Sequence, residues 1–344
     1  MKKNFFLLLI ILLPKVVFST DLNSAEISHP SKTFSFFFEN DAFFDTDREY
    51  SNGIRLSMTY SNLPPNYYKV QNFLEKIGRF TKISDGDSTQ AYSLSIGQNI
   101  YTPENTQTKE LVKDERPYAG LTYIGTGIIS ATETTMKTLE FSTGIIGPLS
   151  LAEKTQKTIH ETFGWQEPMG WDNQLSNEPF IEIVFSKRWK KKNISNNGFG
   201  FDLIPEMGAG IGNALVYLQT GINFRVGYNI PNDFGTPRIR PATDTNFPLD
   251  KTDPRFYPKY KRLGLYLFCS ADALYVPRNI FLDGNTFKNS HSVKRNPVIG
   301  STIAGLGVII HRFNIIYGHV FNTKVYETEK DRQYYGTISV SYTW

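Results

Sequence analysis

Past its first twenty residues the chain repeatedly alternates apolar and polar side chains with period two, and no other feature limits its possible folds so sharply. In Ile54-Arg55-Leu56-Ser57-Met58-Thr59-Tyr60 the even positions are apolar and the odd ones polar. From Val216 to Tyr228 the even positions read Val, Leu, Thr, Ile, Phe, Val, Tyr, while the odd ones include Gln219, Gly221, Asn223, Arg225 and Gly227. Successive side chains of a strand point to opposite faces, so such segments present one apolar wall and one polar wall. Twelve segments read as strands, at roughly 33–41, 51–60, 90–99, 119–130, 136–146, 179–189, 200–210, 214–228, 262–273, 298–310, 313–322 and 334–344. An even number permits a closed antiparallel barrel with both termini at one end, and closure removes the unpaired edges that lipid does not tolerate.

Aromatic residues make up 14% of the chain, with 26 Phe and 19 Tyr. Yet after the N-terminus no apolar run approaches the ~20 residues of a membrane-spanning helix. That combination suits strands whose apolar side chains face lipid, with aromatic girdles at the water boundary. The last segment, Ile338 to Trp344, alternates again and ends on an aromatic residue, which resembles the closing strand of bacterial outer-membrane barrels. The expected fold is all-β: a transmembrane antiparallel barrel of about twelve strands with a short helix in an extracellular loop. A soluble β-sandwich accounts for the alternation, but not for the export signal and the terminal aromatic together.

That signal is Lys2 and Lys3, an apolar run from Phe5 to Leu13 ended by Pro14, and Val17 and Ser19 as small residues before a cleavage point. The reading is a signal peptide at 1–19, a barrel domain at 20–344, and residence in the outer membrane among its lipids. Without Lys2, Lys3 and Lys15 the 37 basic residues fall to 34 against 33 acidic ones, so no nucleic-acid partner is expected. The single cysteine, Cys269, cannot form an internal disulfide and reads as a small apolar strand residue in a monomer. Residues 66–81 carry helical apolar spacing at Val70, Phe73, Leu74 and Ile77, and Pro231 to Lys261 reads as a long loop.

With the termini in the periplasm, the first, third and fifth connections fall at the outer end of the barrel, and these three are the richest in chemistry. The first, Glu39 to Gly53, carries five carboxylates with amides and hydroxyls, hard oxygens of the kind calcium takes. A solvated acidic loop is the alternative reading. The EF-hand pattern is excluded, because counting from Asp45 puts Tyr50 where that loop needs glycine. The third connection holds Asp114-Glu115-Arg116-Pro117-Tyr118-Ala119-Gly120, where Arg116 is suited to a bidentate grip on a carboxylate or phosphate. The fifth, Gly147 to Glu178, is long enough to suggest function. In it Leu151, Thr155, Ile159 and Phe163 fall at i, i+4 spacing, predicting a short helix that lays this face on the rim with His160 beside it and ends at Gly164. Histidine suits general-base work near neutral pH. No nucleophile elbow, phosphate loop or paired-cysteine metal site is present, which leaves water activated by a base and a cation stabilising an oxyanion.

Glu39 to Gly53, Arg-Pro-Tyr-Ala-Gly at 116–120, and His160 followed by Gly164 and Gly-Trp-Asp-Asn-Gln at 170–174 together resemble the outer-membrane lipid A 3′-O-deacylases, in order and spacing over nearly the whole mature chain. The resemblance implies a calcium-dependent enzyme that removes the 3′ acyloxyacyl chain of lipid A. Asn40 and Asp41 match the family's Asn-Asp pair, Ser51 its hydroxyl position and His160 its general base, while Arg116 stands where the family keeps an arginine. A glutamate expected six residues after the histidine falls on Gln166, with Glu167 next to it. The implied catalytic set is His160, Asn40, Asp41 and Ser51. Arg116, Gln166 and Glu167 are expected to contact substrate, and Asp41, Asn40 and Glu39 to hold calcium. Water and Ser51 both stand as the attacking group. A phospholipase, and a pore or adhesin without enzymatic activity, are the rival functions.

Overall fold

The computed structural model describes residues 31–41, 49–61, 68–84, 88–194, 197–236, 247–258 and 262–344; the side chains of Glu49, Ser51 and Tyr68 fall outside that description. The expected signal at 1–19 and two acids of the first connection, Asp45 and Asp47, also lie outside it.

The strands are β1 (Lys32–Asn40), β2 (Glu49–Ser61), β3 (Thr89–Thr102), β4 (Ala119–Ala131), β5 (Thr135–Ile146), β6 (Glu178–Trp189), β7 (Lys191–Ile194), β8 (Phe199–Gly212), β9 (Leu215–Tyr228), β10 (Leu263–Asn279), β11 (Val298–Ile310), β12 (Phe313–Asn322) and β13 (Gln333–Thr343). Each expected segment is a strand, with ends displaced by up to three residues except in β10, which runs six residues beyond its expected end, and β7 is an addition. Neighbours pair antiparallel in sequence order, β1 pairs with β13, and β6 pairs directly with β8. The ring therefore closes through twelve strands, and β7 is a four-residue extension along the edge of β8. Among the described residues no helix is long and apolar enough to cross a membrane.

Register assigns each residue a wall. In β1 the odd positions Thr33, Ser35, Phe37 and Glu39 are buried in the lumen, and they lie opposite Thr59, Ser57, Arg55 and Gly53 of β2. Even positions face outwards, where Leu56, Leu94, Ile96, Ile124, Leu218 and Phe224 are exposed, forming the apolar belt of a lipid-facing wall. The lumen is packed. Arg55 pairs with Glu140 at 3.2 Å, both buried. Tyr123 fills the space over Gly97, where a Cβ would come within 2.5 Å of its ring.

Among the described residues three helices lie outside the wall pattern: α1 (Tyr68–Phe80), α2 (Ala152–Phe163) and the single turn α3 (Ile280–Asp283). The first two appear where helical spacing placed them. Within the stretch from Pro231 to Lys261, expected as a long loop, residues 231–236 and 247–258 fold back into the lumen at the end that carries the termini. Phe234, Phe247 and Leu249 pack there against the inward residues Ala91, Ile129, Met136 and Ile204. Beside this apolar plug, Arg225 of β9 grips Asp202 through Nε at 3.0 Å and Nη2 at 2.6 Å, and reaches Asp233 through Nη1 at 2.5 Å. Arg255 holds Asp253 at 2.7 Å, and the Asn232 N–H donates to the same carboxylate at 2.7 Å. A loop folded back among buried charges is stable only when each charge finds its partner, which this network supplies.

Two outcomes follow from the plug. Arg225→Met leaves Asp202 buried without its cation and should cost about 3–5 kcal/mol, read as a lower urea midpoint of the refolded barrel; an unchanged midpoint would contradict the network. Burial opposes the Asp253 charge, but Arg255 and two backbone N–H groups hold its carboxyl below the ordinary 3.8. A lowered folded value means the stabilisation is complete above 3.8 and is lost as pH falls through the lowered value. Planar-bilayer recordings should therefore find a closed barrel at neutral pH, with current appearing only in strong acid. Steady conductance at neutral pH would overturn the plug and favour a pore.

Candidate active site

At the far rim, opposite the termini, the outer wall changes character. The lipid-facing columns of β1 to β4 run upwards through Phe36, Leu56, Ile96 and Ile124, then Phe38, Ile54, Gln98 and Thr122, and end in Asn40, Asn52, Ile100 and Gly120. Asn40, Asn52 and Ile100 face outwards by register, yet are 5%, 4% and 0% exposed. Ile100 is covered from outside by the fifth connection, through Ala152 and Trp171.

That cover is fastened to the wall by its first residues. The Ser150 carbonyl accepts from Gln98 Nε2 at 2.7 Å and from Thr122 Oγ1 at 2.7 Å. Gly120 makes this approach possible, because a Cβ there would come within 2.2 Å of both Ala152 Cβ and Ser150 Oγ. Leu151 adopts the left-handed conformation with φ 59°, and α2 begins at Ala152. The buried face of α2 is therefore Ala152, Gln156 and His160, a correction to the expected face of Leu151, Thr155, Ile159 and Phe163. Leu151 is 61% exposed, since the left-handed turn sends it away from the wall while the small Ala152 fits against Gly120. Further cover comes from Trp171, which packs with Ile100, Tyr118 and Ala152 and donates from Nε1 to Gln156 Oε1 at 2.9 Å. Backbone bonds from Met169 N to Thr106 O and from Leu175 N to Tyr118 O, each 2.9 Å, knit the third and fifth connections into one roof.

The helix starts over β4 and packs on β4 and β3. At about 1.5 Å per residue, His160 lies about 12 Å beyond Ala152. Strands about 4.8 Å apart put the Asn52 and Asn40 columns about 10 and 14 Å from Gly120. Directed towards β2, a helix of this length would reach the Asn52–Asn40 columns. His160 is 4% exposed, and its Nδ1 bonds the Gln166 carbonyl at 2.5 Å. A carbonyl only accepts, so Nδ1 carries the proton, and in the neutral tautomer the lone pair falls on Nε2. The edge-on ring of Trp165 at 5.5 Å and the left-handed Gly164 cap fix the helix end that supports this bond.

The remaining sequence candidates divide between the two sides of the rim. Asp41 follows Asn40 directly and is 3% exposed. The register of β2 slips between Tyr50 and Asn52, so Ser51 is the extra residue of a β-bulge, a device that re-aims side chains. Glu39 parts from Asn40: adjacent strand residues face opposite ways, and Glu39 lies on the lumen side across from Thr337 and Gly53. Arg116 is also on the lumen side, 4% exposed, with its guanidinium 4.8 Å over the Tyr101 ring, which stacks on Phe281 at 4.1 Å. Its Nη2 donates to the Phe281 carbonyl at 3.4 Å. Gln166 contributes its backbone to His160, and Glu167 pairs with Lys157 at 3.2 Å on the exposed side of the roof.

Sequence reasoning passed over Asn52, whose Nδ2 is buried with no hydrogen-bond partner among the described residues. The available signal was its phase: it is polar at the top of a column whose lower members are Ile54, Leu56 and Met58. Among the described residues no three His, Cys, Asp or Glu side chains form a metal cluster. Calcium, however, takes carboxamide and backbone oxygens beside a carboxylate. Asp41 with Asn40 suits that donor set, and half a turn of the Asn52 carboxamide would add its oxygen.

A family model described as Outer membrane protein LpxR matches residues 5–344. No curated protein matches this sequence. Among solved structures, LpxR from Salmonella typhimurium is similar over 90% of this chain and 99% of its own, with a TM-score of 0.71 at 18% identity, and shares the fold. The β-domain of the Bordetella autotransporter Brka aligns over 92% of this chain and 98% of its own, at 7% identity and a TM-score of 0.43.

The fit at Gly120 has a direct consequence. Gly120→Val should leave the barrel folded but lift the start of α2, so that limited proteolysis cuts within residues 147–177. An uncut connection would mean that the roof does not depend on this contact.

Proposed function

The chain belongs to the LpxR family of outer-membrane proteins, and from that premise we propose that it is a lipid A 3′-O-deacylase whose reaction takes place on the outer wall of the barrel, under α2. The observation that carries this reading is the buried polar end of a lipid-facing wall, Asn40, Asp41 and Asn52, at the same rim as a helix on β3 and β4 whose buried His160 bonds the Gln166 carbonyl through Nδ1. Acyl chains of a lipid beside the barrel lie along Phe36, Leu56, Ile96 and Ile124. Their ester bonds sit where acyl chains meet head group, which is the height at which this wall turns from apolar to polar. The substrate then arrives sideways from the leaflet, and the packed lumen takes no part.

In the proposed reaction His160 Nε2 takes a proton from water, the water oxygen attacks the ester carbonyl, and the proton passes on to the departing alkoxide. The Gln166 carbonyl keeps the ring in the required tautomer and stabilises it when charged. Asn52 Nδ2 is the donor suited to the carbonyl oxygen as it becomes negative. Asp41 and Asn40 would hold calcium, which when bound supplies positive charge at that oxygen. Glu39, on the lumen side, is left out of the ligand set. Arg116 shapes the rim through Tyr101 and Phe281, and the exposed Gln166 and Glu167 side chains border the entry for the head group. Ser51, at the bulge, is the alternative nucleophile and would leave a covalent acyl-enzyme.

Mass spectrometry of purified lipid A incubated with the refolded protein tests the assignment. Wild type should release the 3′ acyloxyacyl chain, and a calcium chelator should stop it. His160→Gln should slow release by about 10²–10⁴-fold and Asn52→Leu by about 10²–10³-fold, both with folded barrels. Unchanged rates in both variants would refute the site, and cleavage of glycerophospholipid in place of lipid A would make the enzyme a phospholipase.

A further inference from the structure

At the termini end the outer wall carries a second helix, unrelated to the proposed reaction. Tyr92 of β3 and Ile128 of β4 point outwards by register, two and four residues from the exposed belt residues Leu94 and Ile124. Both are nonetheless buried, 5% and 6% exposed, because α1 lies across them with Leu74 and Ile77, next to Ile83 and Leu139. The helix is pinned to this place. Ile83 N and Ser84 N bond the Gly78 carbonyl, and Lys137 Nζ of β5 donates to the Lys82 carbonyl at 3.2 Å.

Contact with the wall uses only part of the apolar surface of α1. Val70, Phe73, Ile77 and Phe80 fall at i, i+3, i+7 and i+10, a single face. Three of them remain exposed, Val70 at 50%, Phe73 at 62% and Phe80 at 90%. Next to this face come Lys69 and Lys76, then Arg79, which pairs with Glu75 at 3.1 Å, while the wall side carries Leu74 and Gly78. The exposed apolar face thus continues the lipid-facing belt of β3 and β4, and a row of cations borders it.

We propose that α1 is an interfacial anchor, bedded in the phospholipid leaflet at the end of the barrel that carries the termini. Val70, Phe73 and Phe80 lie among acyl chains, and Lys69, Lys76 and Arg79 lie on acidic head groups. Continuity with the lipid-facing wall selects a lipid occupant, and the cation row selects an anionic one. A helix held against the barrel at this height also resists vertical movement of β2 and β3 in the bilayer.

Nitroxide labels on the full chain test this. The single cysteine, Cys269, is exposed on the outward side of β10 and is replaced by alanine. Labels are then placed at Phe73→Cys, Phe80→Cys and, about 100° round the helix on the polar side between Lys76 and Arg79, Asn72→Cys, in vesicles of phosphatidylethanolamine and phosphatidylglycerol. Labels at 73 and 80 should be relaxed several-fold more by oxygen than by a water-soluble nickel chelate, with the order reversed at 72. Replacing Lys69, Lys76 and Arg79 by glutamine should raise nickel access at 80 in these vesicles. Nickel access at 73 and 80 equal to that at 72 would overturn the proposal. So would spin–spin broadening at 73 in dilute samples, which would mean a second copy covers the face.

Discussion

Ring closure governs everything else in this molecule. Because β1 pairs with β13 and β6 with β8, no strand of the ring has a free edge, and the register around the ring has little freedom to slip. A one-residue shift in any strand would exchange its walls and set Ser35, Ser57 and Ser95 against lipid. The cost of such a shift keeps Asn40 and Asn52 on the outer wall and Glu39 inside. The bulge at Ser51 is a local departure from this order, and it stands beside the proposed chemistry.

The two ends of the barrel spend their connections differently. At the termini end a loop turns inward and fills the lumen through paired charges around Arg225 and Arg255. At the far end the third and fifth connections join into a roof that lies outside the wall and is fastened at Ser150 and Gly120. A filled lumen leaves the outer surface as the place where a membrane lipid meets polar side chains. The rigid wall sets the position of Asn40 and Asn52, and the Nδ1 bond of His160 sets the direction of the base.

Much of the fold was legible because lipid and a packed lumen both demand strict alternation, so all twelve ring strands stand out from their neighbours. β7 did not, since Lys191-Lys192-Asn193-Ile194 has no alternation and forms only by extending β8. The spans of α1 and α2 followed from helical spacing and from Gly164 as a cap. The face of α2 was misread because Leu151 looks like a core residue, while its left-handed backbone removes it from the helix and leaves the contact to Ala152. The plug was hidden because buried charges in Asp233, Asp253 and Arg255 look like loop polarity until partners from β8 and β9 are in place. Asn52 was within reach of the sequence, as a polar residue in phase with a lipid-facing column. The lumen-side placement of Arg116 was not, because it depends on Phe281, far away in the chain.

The proposed reaction requires His160 to lie over the outer wall rather than over the lumen. Paired cysteines in a Cys269→Ala barrel report this directly, with His160→Cys combined with either Asn52→Cys or Asn99→Cys, the latter on the lumen side of β3. A short bifunctional thiol reagent should join 160 to 52 and leave 160 and 99 unlinked. Linkage of 160 to 99 without linkage to 52 would put the histidine inside the barrel and remove the proposed reaction from the lipid-facing wall.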